Sequence, residues 1–201
     1  YLCIAGELAA VICIHDPLRR EARDAVAALH ACGIGKVVMM TGDNRQTAQA
    51  VAREVGVDAV YAEVLPEDKA AFIRSEKAAG HTVIMVGDGV NDSPALSEAD
   101  AGVAISTGAA IAREIADITI ASEDLFELVT LRRLSQALMA RIHRNYRFIV
   151  GFNLSLILLG VAGLLPPTTS ALLHNMSTLG ISLKSMTDLG PELPSPTPAE
   201  R

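Results

Sequence analysis

Short apolar runs alternate with turn residues and helical patterns over the first 122 residues of the chain. The helical patterns cover 17–32, with Asp16 as the expected N-cap, then 44–55 and 66–79, and a short one starts at 94. The runs that predict buried strands lie at 37–40, 59–64, 83–86, 102–105 and 118–120, after a hairpin-like pair at 1–5 and 8–14. This alternation predicts an α/β domain with a parallel sheet.

The pattern changes after Ser122. Leucine and isoleucine recur every three or four residues from 124 to 147, which predicts an amphipathic helix. Residues 148–165 then form an 18-residue run without a charge. At 1.5 Å per residue such a helix extends about 27 Å, close to the thickness of a bilayer core. We expect a transmembrane α-helix here, and a buried core helix is the alternative.

Pro166 and Pro167 interrupt this run, and 168–187 is the second predicted transmembrane helix. It carries polar side chains opposite an apolar stripe formed by Leu172, Met176, Leu179, Leu183 and Met186. A helix that faces lipid on one side and a polar interior on the other has this pattern, and a surface amphipathic helix is the alternative. Residues 190–201 are rich in proline and predict a disordered tail. The predicted divisions are therefore 1–122, 123–189 and 190–201.

Composition and charge support a membrane segment and argue against a nucleic-acid partner. Half of the 201 residues are hydrophobic, the mean hydropathy is +0.34 and the net charge is −6. Five arginines and no acid lie between Arg132 and Arg147, directly before the apolar run. The positive-inside rule then places residues 1–147 in the cytoplasm. The three cysteines have no close spacing, which favours reduced, buried thiols.

The candidate chemistry starts where the apolar run 83–86 ends at Gly87. Two aspartates four residues apart, Asp88 and Asp92, follow in a Gly-rich turn. Open α/β folds bind ligands at the carboxyl ends of their parallel strands. Carboxylate oxygens with room for water suit Mg²⁺, and Mg²⁺ in turn suits phosphate. The alternative is a turn without a function, since Asn, Asp and Gly favour turns anyway.

The segment GDGVNDSPAL at 87–96 resembles the hinge motif of the P-type ATPases, whose phosphorylation domain has the Rossmannoid, haloacid-dehalogenase-like fold. Three further segments agree in the same order: DPLR at 16–19, MTGD at 40–43 and LPEDK at 65–69. Ser93, the DPLR segment and the two apolar spans that follow resemble the heavy-metal-transporting branch. The resemblance covers residues 1–189.

This resemblance implies how the residues of the first domain act in phosphoryl transfer from ATP. Asp88 and Asp92 would hold Mg²⁺, and Asn91 would orient their loop. The hydroxyl of Thr41 and the backbone N–H of Gly42 would meet a phosphoryl oxygen, and Lys69 would offer a positive charge to the same group. Asp43 and Arg19 would be accessory. Without the resemblance, Lys69 is more simply a solvated surface lysine.

One part of the resemblance is missing. The family is phosphorylated on the aspartate of a DKTGT motif, and the 201 residues contain no such run. Asp16 does not replace it, because its context is DPLR. We expect the chain to be the C-terminal part of a longer polypeptide, which supplies the nucleotide-binding and actuator domains and earlier membrane helices. The chain alone is expected to be inactive.

Polar residues of the predicted membrane helices are candidates for binding the transported ion. His174, Asn175, Ser177 and Thr178 lie where the resemblance places ligands on the last helix, and Asn153 is the one amide of the preceding span. Hydrogen bonds between the helices are the alternative for Asn153 and His174. The segment lacks the Met-x-x-Ser-Ser pattern linked to copper and the lysine-plus-aspartate arrangement linked to zinc and cadmium. An imidazole with neutral oxygens suits Zn²⁺, Co²⁺ or Mn²⁺.

The sequence therefore predicts part of a multi-pass membrane pump, placed in a bacterial plasma membrane. The pump would use ATP and Mg²⁺ to move a divalent transition-metal cation across the lipid bilayer through an aspartyl-phosphate. The alternative is a membrane-anchored haloacid-dehalogenase-like phosphatase, although no aspartate near the start of the domain is suitably placed as its nucleophile. A non-catalytic, regulatory membrane fragment is a third interpretation.

Overall fold

The structure is a computed structural model that describes residues 2–11, 17–88, 92–105, 114–122 and 124–189. The chain divides into two compact units. The first comprises Tyr1–His30 and Ile34–Leu125, and the second comprises Ala31–Gly33 and Phe126–Arg201.

The first unit contains an antiparallel hairpin, parallel strands and short helices. The hairpin is formed by β1 (Leu2–Ile4) and β2 (Glu7–Ala10). The helices are α1 (Ala22–Ala31), α2 (Arg45–Val55), α3 (Pro66–Ala78) and α4 (Ser93–Glu98). Strands β3 (Val38–Met40) and β4 (Ala59–Tyr61) form one parallel sheet, and β5 (Ile84–Gly87), β6 (Ala101–Ile105) and β7 (Ile118–Ile120) form another. The predicted parallel pairing is confirmed, although the strands lie in two hydrogen-bonded sheets.

The first helix and β4 of the first unit are shorter than predicted. The helix predicted from residue 17 begins at Ala22, after a turn in which the Ala22 N–H donates to the Arg19 carbonyl. Asp16, its predicted N-cap, lies outside the described residues. Strand β4 ends at Tyr61 rather than at Val64, because the chain turns at Glu63, where φ is +58°. The Val64 N–H then donates to the Thr41 carbonyl.

An aspartate precedes one strand of each parallel pair and bonds to the neighbouring strand. Asp58 Oδ2 accepts from the Val37 N–H at 2.6 Å, and Asp100 Oδ2 accepts from the Val83 N–H at 2.8 Å. Asp117 Oδ2 accepts from the Gly102 N–H at 2.8 Å. In all three cases the two residues stand directly before the first paired residues of their strands. We call these three contacts the aspartate clamps.

The interior of the first unit is built from small side chains. Alanines of α1 to α4 are buried, and the largest fully buried side chains are Ile73, Leu96 and Val103. Helix α4 packs against both β5 and β6. A Cβ at Gly102 of β6 would lie 2.7 Å from the Leu96 carbonyl oxygen, so only glycine permits this approach. Helix α4 is thereby held close to the strand ends that flank it.

The second unit contains two helices, α5 (Phe126–Val161) and α6 (Pro167–Ser185). The helix predicted for 124–147 and the helix predicted for 148–165 are joined in α5, one continuous helix of 36 residues. It also ends four residues before Leu165. Gly163 adopts a left-handed φ of +74°, and the Leu164 N–H donates back to the Leu159 carbonyl, which closes the helix.

Within the described ranges, no helix combines the length and the apolar character needed to cross a membrane. The prediction of two transmembrane helices is therefore not confirmed.

The clamp at Asp100 predicts a specific dependence of stability on pH. The hydrogen bond from the Val83 N–H, with Lys77 beside it, holds the pKa of Asp100 below its ordinary value of 3.8. A carboxyl with a lowered folded-state pKa stabilises the fold above its unfolded-state pKa, and this contribution is lost as the pH falls through the folded-state pKa. We expect Asp100→Asn to lower the Tm at neutral pH, with a difference from wild type that shrinks between about pH 5 and pH 3.

Thermal unfolding followed by circular dichroism measures this difference. Glu54→Gln, at an exposed position of α2, is the control for loss of a negative charge. A Tm difference for Asp100→Asn that is constant over this pH range contradicts the role of the charge in the clamp.

Candidate functional site

The first candidate site lies at the end of β5. Asp92 stands directly before α4, and its carbonyl accepts from the Leu96 N–H at 2.8 Å in the first turn of that helix. Lys69, in the first turns of α3, reaches across, and its Nζ lies 2.7 Å from Asp92 Oδ1. The two side chains are only 16% and 14% exposed. A semi-buried charge pair with this geometry is held more firmly than a surface pair.

Gly87, the last residue of β5, makes room for the Asp92 carboxylate. A Cβ at this position would lie 2.5 Å from Asp92 Oδ2 and 2.8 Å from Asp92 Cβ. Because Cβ is fixed to the backbone, no side-chain rotation of Asp92 relieves this clash. One carboxylate oxygen therefore faces Lys69 while the other lies over the end of the strand.

Asp88, the other predicted magnesium ligand, follows β5 directly and is exposed. Asn91 lies outside the described residues. Asp88 thus follows β5 directly in the chain, and the carboxylate of Asp92 lies beside Gly87 at the end of that strand. The pairing of Asp92 with Lys69 was not predicted from the sequence, which assigned the two residues separate partners.

Thr41, Gly42 and Asp43 follow β3 and form a closed turn. The Thr41 hydroxyl donates to Asp43 Oδ2 at 2.8 Å and accepts from the Asp43 N–H at 3.1 Å. The Asp43 carbonyl accepts from the Glu63 N–H, which ties the turn to the loop after β4. Gly42 is exposed at the tip of the turn. The hydrogen bonds given above for the predicted site residues of the first unit therefore form two groups, one around Thr41 and Asp43 and one around Lys69 and Asp92.

The second candidate site is a groove of about 700 Å³ in the pair of helices α5 and α6. Its polar lining includes Asn153 of α5 with His174 and Asn175 of α6, and the remaining lining is mainly apolar. Three of the five residues predicted to bind the transported ion are thus brought together. Ser177 and Thr178 do not line the groove. Both of their hydroxyls donate to the His174 carbonyl, at 2.8 and 3.0 Å.

His174 and Asn153 form the polar contact within this groove. His174 Nδ1 lies 2.8 Å from Asn153 Oδ1. Because an amide oxygen can only accept, the Nδ1 atom carries the proton of this bond. In the neutral imidazole, Nε2 then has the lone pair that a metal ion requires. Asn153 consequently orients the histidine, in the way that carboxylates and carbonyls orient metal-binding histidines elsewhere.

Neither site is a complete metal cage. Over the described parts of the chain, no group of three or more His, Cys, Asp and Glu side chains is arranged to hold a metal ion. Two carboxylates are nevertheless typical of Mg²⁺, which usually keeps several waters and shares the phosphate of a substrate.

The parallel α/β unit with polar side chains at its strand ends agrees with the comparisons to known proteins. The family model of the haloacid dehalogenase-like hydrolases matches residues 2–100. The chain thus contains a haloacid dehalogenase-like hydrolase domain.

Relatives with known activities define the family more closely. Copper-transporting ATPase 2 of Rhizobium meliloti (strain 1021) is 45% identical over 173 residues, which are 86% of this chain and 21% of that protein. The manganese-exporting P-type ATPase of Mycobacterium tuberculosis (strain H37Rv) is 40% identical over 185 residues, 92% of this chain and 26% of that protein. A solved zinc-transporting PIB-type ATPase in the E2.Pi state is 32% identical, with a TM-score of 0.78 over 85% of this chain and 28% of that one.

The chain belongs to the heavy-metal-transporting P-type ATPases. It spans about a fifth to a quarter of the length of the relatives described above.

The packing of Gly87 against Asp92 predicts a large effect of one methyl group. Gly87→Ala forces Asp92 away from the strand end and disturbs its contact with Lys69, so we expect a loss of about 1–3 kcal/mol in the free energy of unfolding. Urea unfolding measures this loss. Gly35→Ala is the matched control, because a Cβ at Gly35 meets no atom within 4 Å, and its effect should stay within about 0.5 kcal/mol. Equal effects of the two substitutions contradict the assigned role of Gly87.

Proposed function

We propose that this chain is part of an ATP-driven pump for divalent transition-metal cations that works through an aspartyl-phosphate. The observation that carries the proposal is the semi-buried pair of Lys69 and Asp92 at the end of β5, next to Asp88. This pair occurs in a chain that is 45% identical to a copper-transporting ATPase. The 201 residues contain no DKTGT run, so the phosphorylated aspartate belongs to another part of the pump, and this chain alone has no ATPase activity.

Asp88 and Asp92 fit a magnesium site. They offer hard carboxylate oxygens near one strand end, and Gly87 leaves space for one oxygen of Asp92. Bound there together with ATP, Mg²⁺ would neutralise negative charge on the transferring phosphoryl group. Asn91, between the two aspartates in sequence, would orient their loop by side-chain hydrogen bonds.

Lys69 supplies the positive charge that the phosphoryl oxygens require. It is held by Asp92 in this structure, so the ammonium is already positioned in a partly desolvated place, where a fixed charge acts more strongly than in water. Thr41 and Gly42 would bind a phosphoryl oxygen through the hydroxyl and the backbone N–H. In this structure the single hydroxyl proton of Thr41 is donated to Asp43 Oδ2, so the hydroxyl would have to turn away from Asp43 to donate to a phosphoryl oxygen.

The groove between α5 and α6 is the proposed binding site of the transported cation. His174 Nε2 is the proposed ligand, Asn175 adds a neutral oxygen, and Asn153 orients the imidazole. Ser177 and Thr178 have a weaker claim, since their hydroxyls donate within their own helix. Imidazole nitrogen with neutral oxygens suits Zn²⁺, Co²⁺ or Mn²⁺. Relatives are named as transporters of copper, manganese and zinc.

The pump would hold the helices α5 and α6 in the lipid bilayer and the first unit in the cytoplasm. Two observations support this placement. Residues 148–165 carry no charge, and the stripe of Leu172, Met176, Leu179, Leu183 and Met186 is exposed along α6. The arginines before residue 148 fit the cytoplasmic end of such a pair.

Removing either proposed charge should impair phosphorylation of the complete pump. We expect Lys69→Ala and Asp88→Asn each to slow phosphoenzyme formation about a hundredfold, since loss of one positioned charge costs about 3 kcal/mol. Only Asp88→Asn should also raise the Mg²⁺ concentration required. Labelled ATP and acid quenching measure the rates.

Arg74→Ala is the control for the loss of a cation from α3, because Arg74 is more than half exposed and pairs with Glu98. Phosphorylation of both variants at the wild-type rate would show that the roles given to Lys69 and Asp88 are wrong.

The groove predicts a separation of metal activation from phosphoryl chemistry. We expect His174→Ala in the complete pump to lower metal-stimulated ATPase activity strongly, while phosphorylation by inorganic phosphate continues. Asn153→Ala should have a smaller effect of about tenfold in metal affinity, because Asn153 orients the ligand without being one. Activation is measured with Zn²⁺, Cd²⁺, Co²⁺, Mn²⁺ and Cu⁺ in turn.

Ser182→Ala, on the same helix and outside the groove lining, controls for general damage to α6. If only Cu⁺ stimulates the ATPase activity, and His174→Ala leaves this stimulation unchanged, both the proposed class of ion and the proposed ligand are excluded.

A further inference from the structure

Arg141 of α5 is a buried charged residue that the function proposed above does not use. It is 6% exposed. Its Nη1 donates to the Thr187 carbonyl at 2.6 Å, and its Nη2 donates to the Asp188 carbonyl at 2.8 Å. One guanidinium thus holds two successive backbone carbonyls directly after the end of α6.

The location of Arg141 explains how its charge is tolerated. The C-terminus of a helix carries partial negative charge and carbonyls without helical partners, so a cation is stabilised there. The Thr187 and Asp188 carbonyls are two such partners of the Arg141 guanidinium. A guanidinium is suited to this task because its donors are arranged as a rigid fork.

Polar contacts at three levels join α5 to α6 and the residues 186–188 that follow it, together the α6 segment, and they constrain the register of the two helices. Arg141 reaches residues 187 and 188, Asn145 Nδ2 donates to Ser185 Oγ at 2.9 Å, and Asn153 faces His174. The partners appear in opposite order along the two segments, so the helices are antiparallel. Arg141 lies twelve residues before Asn153, about 18 Å along the helix axis.

We infer that Arg141 is a positioning residue for the groove site, an inference that rests on the function proposed for His174. Aliphatic contacts between two helices tolerate sliding, whereas a two-pronged bond to the end of α6 does not. A displacement of α6 by a single residue is about 1.5 Å, enough to break the 2.8 Å contact between His174 and Asn153. By holding the end of α6, Arg141 keeps His174 opposite Asn153. The contact with Asn153 in turn keeps the proton of the imidazole on Nδ1.

The tautomer of His174 tests this inference on the 201-residue chain itself. In the wild type, nitrogen-15 NMR of labelled histidine should show the proton on Nδ1, with the signal assigned through His174→Gln. Arg141→Gln should turn this signal into a mixture of both tautomers, and Arg141→Lys, which keeps the charge but loses the fork, should give an intermediate result. Arg147→Gln is the control, because Arg147 is an exposed cation of the same helix.

The helical content of each variant, from circular dichroism, separates a change of register from unfolding. If Arg141→Gln unfolds, the comparison rests on Arg141→Lys and on Asn145→Ala, which removes the neighbouring contact. A folded Arg141 variant with the wild-type tautomer overturns the inference.

The complete pump supplies the second measurement. There, Arg141→Gln should raise the metal concentration for half-maximal activation about tenfold and leave phosphorylation by inorganic phosphate unchanged. A changed tautomer with unchanged metal activation would keep Arg141 as the residue that sets the register and reject the groove as the transport site. A changed activation with an unchanged tautomer would instead reject the positioning role.

Discussion

The register of the parallel strands is the constraint on which the first candidate site depends. A hairpin sets its register through its turn, but parallel strands are joined by long connections that leave the register open. Here the aspartate clamps set the register. Asp58, Asp100 and Asp117 each accept a hydrogen bond from the backbone N–H of the residue opposite, directly before the first paired residues of the two strands. A slip of the register by one residue would break this hydrogen bond and move each side chain of the strand to the opposite face of the sheet. The opposite, carboxyl ends of the strands are thereby aligned, and Gly87 and Asp92 lie at one of them.

Small residues allow the helices to pack closely against the aligned strands. Buried alanines bring the short helices close to the strands, and Gly102 lets β6 approach the backbone of α4 at Leu96. Helix α4 begins directly after Asp92, so its position determines where the carboxylate points. Because Gly87 has no Cβ, the Asp92 carboxylate has room at the end of β5. Lys69 then meets Asp92 in a partly desolvated place, where a charge is more effective than at the surface.

The second unit solves a different problem, since apolar contacts alone do not fix how two helices slide along each other. Polar side chains of α5 meet the α6 segment at separate levels, from Arg141 at one end to Asn153 in the groove. The histidine at the groove is oriented by an amide, and its helix is anchored more than ten residues away by a guanidinium. The imidazole of the proposed ion ligand is thus oriented by a contact to the neighbouring helix.

The sequence by itself determined the order of strands and helices and the strand-end position of Asp88 and Asp92, because periodicity and turn residues are local properties. It also showed the family, through motifs that stand in the expected order. Only the tertiary structure decided that Lys69 pairs with Asp92, that Asn153 orients His174, and that Arg141 holds the end of α6, since these partners lie 21 to 47 residues apart. The tertiary structure also decided that α5 continues through residue 147. The sequence left this open, since an amphipathic pattern followed by an apolar run is compatible with one helix or with two. Long-range contacts between side chains depend on register and packing, and no local pattern contains them.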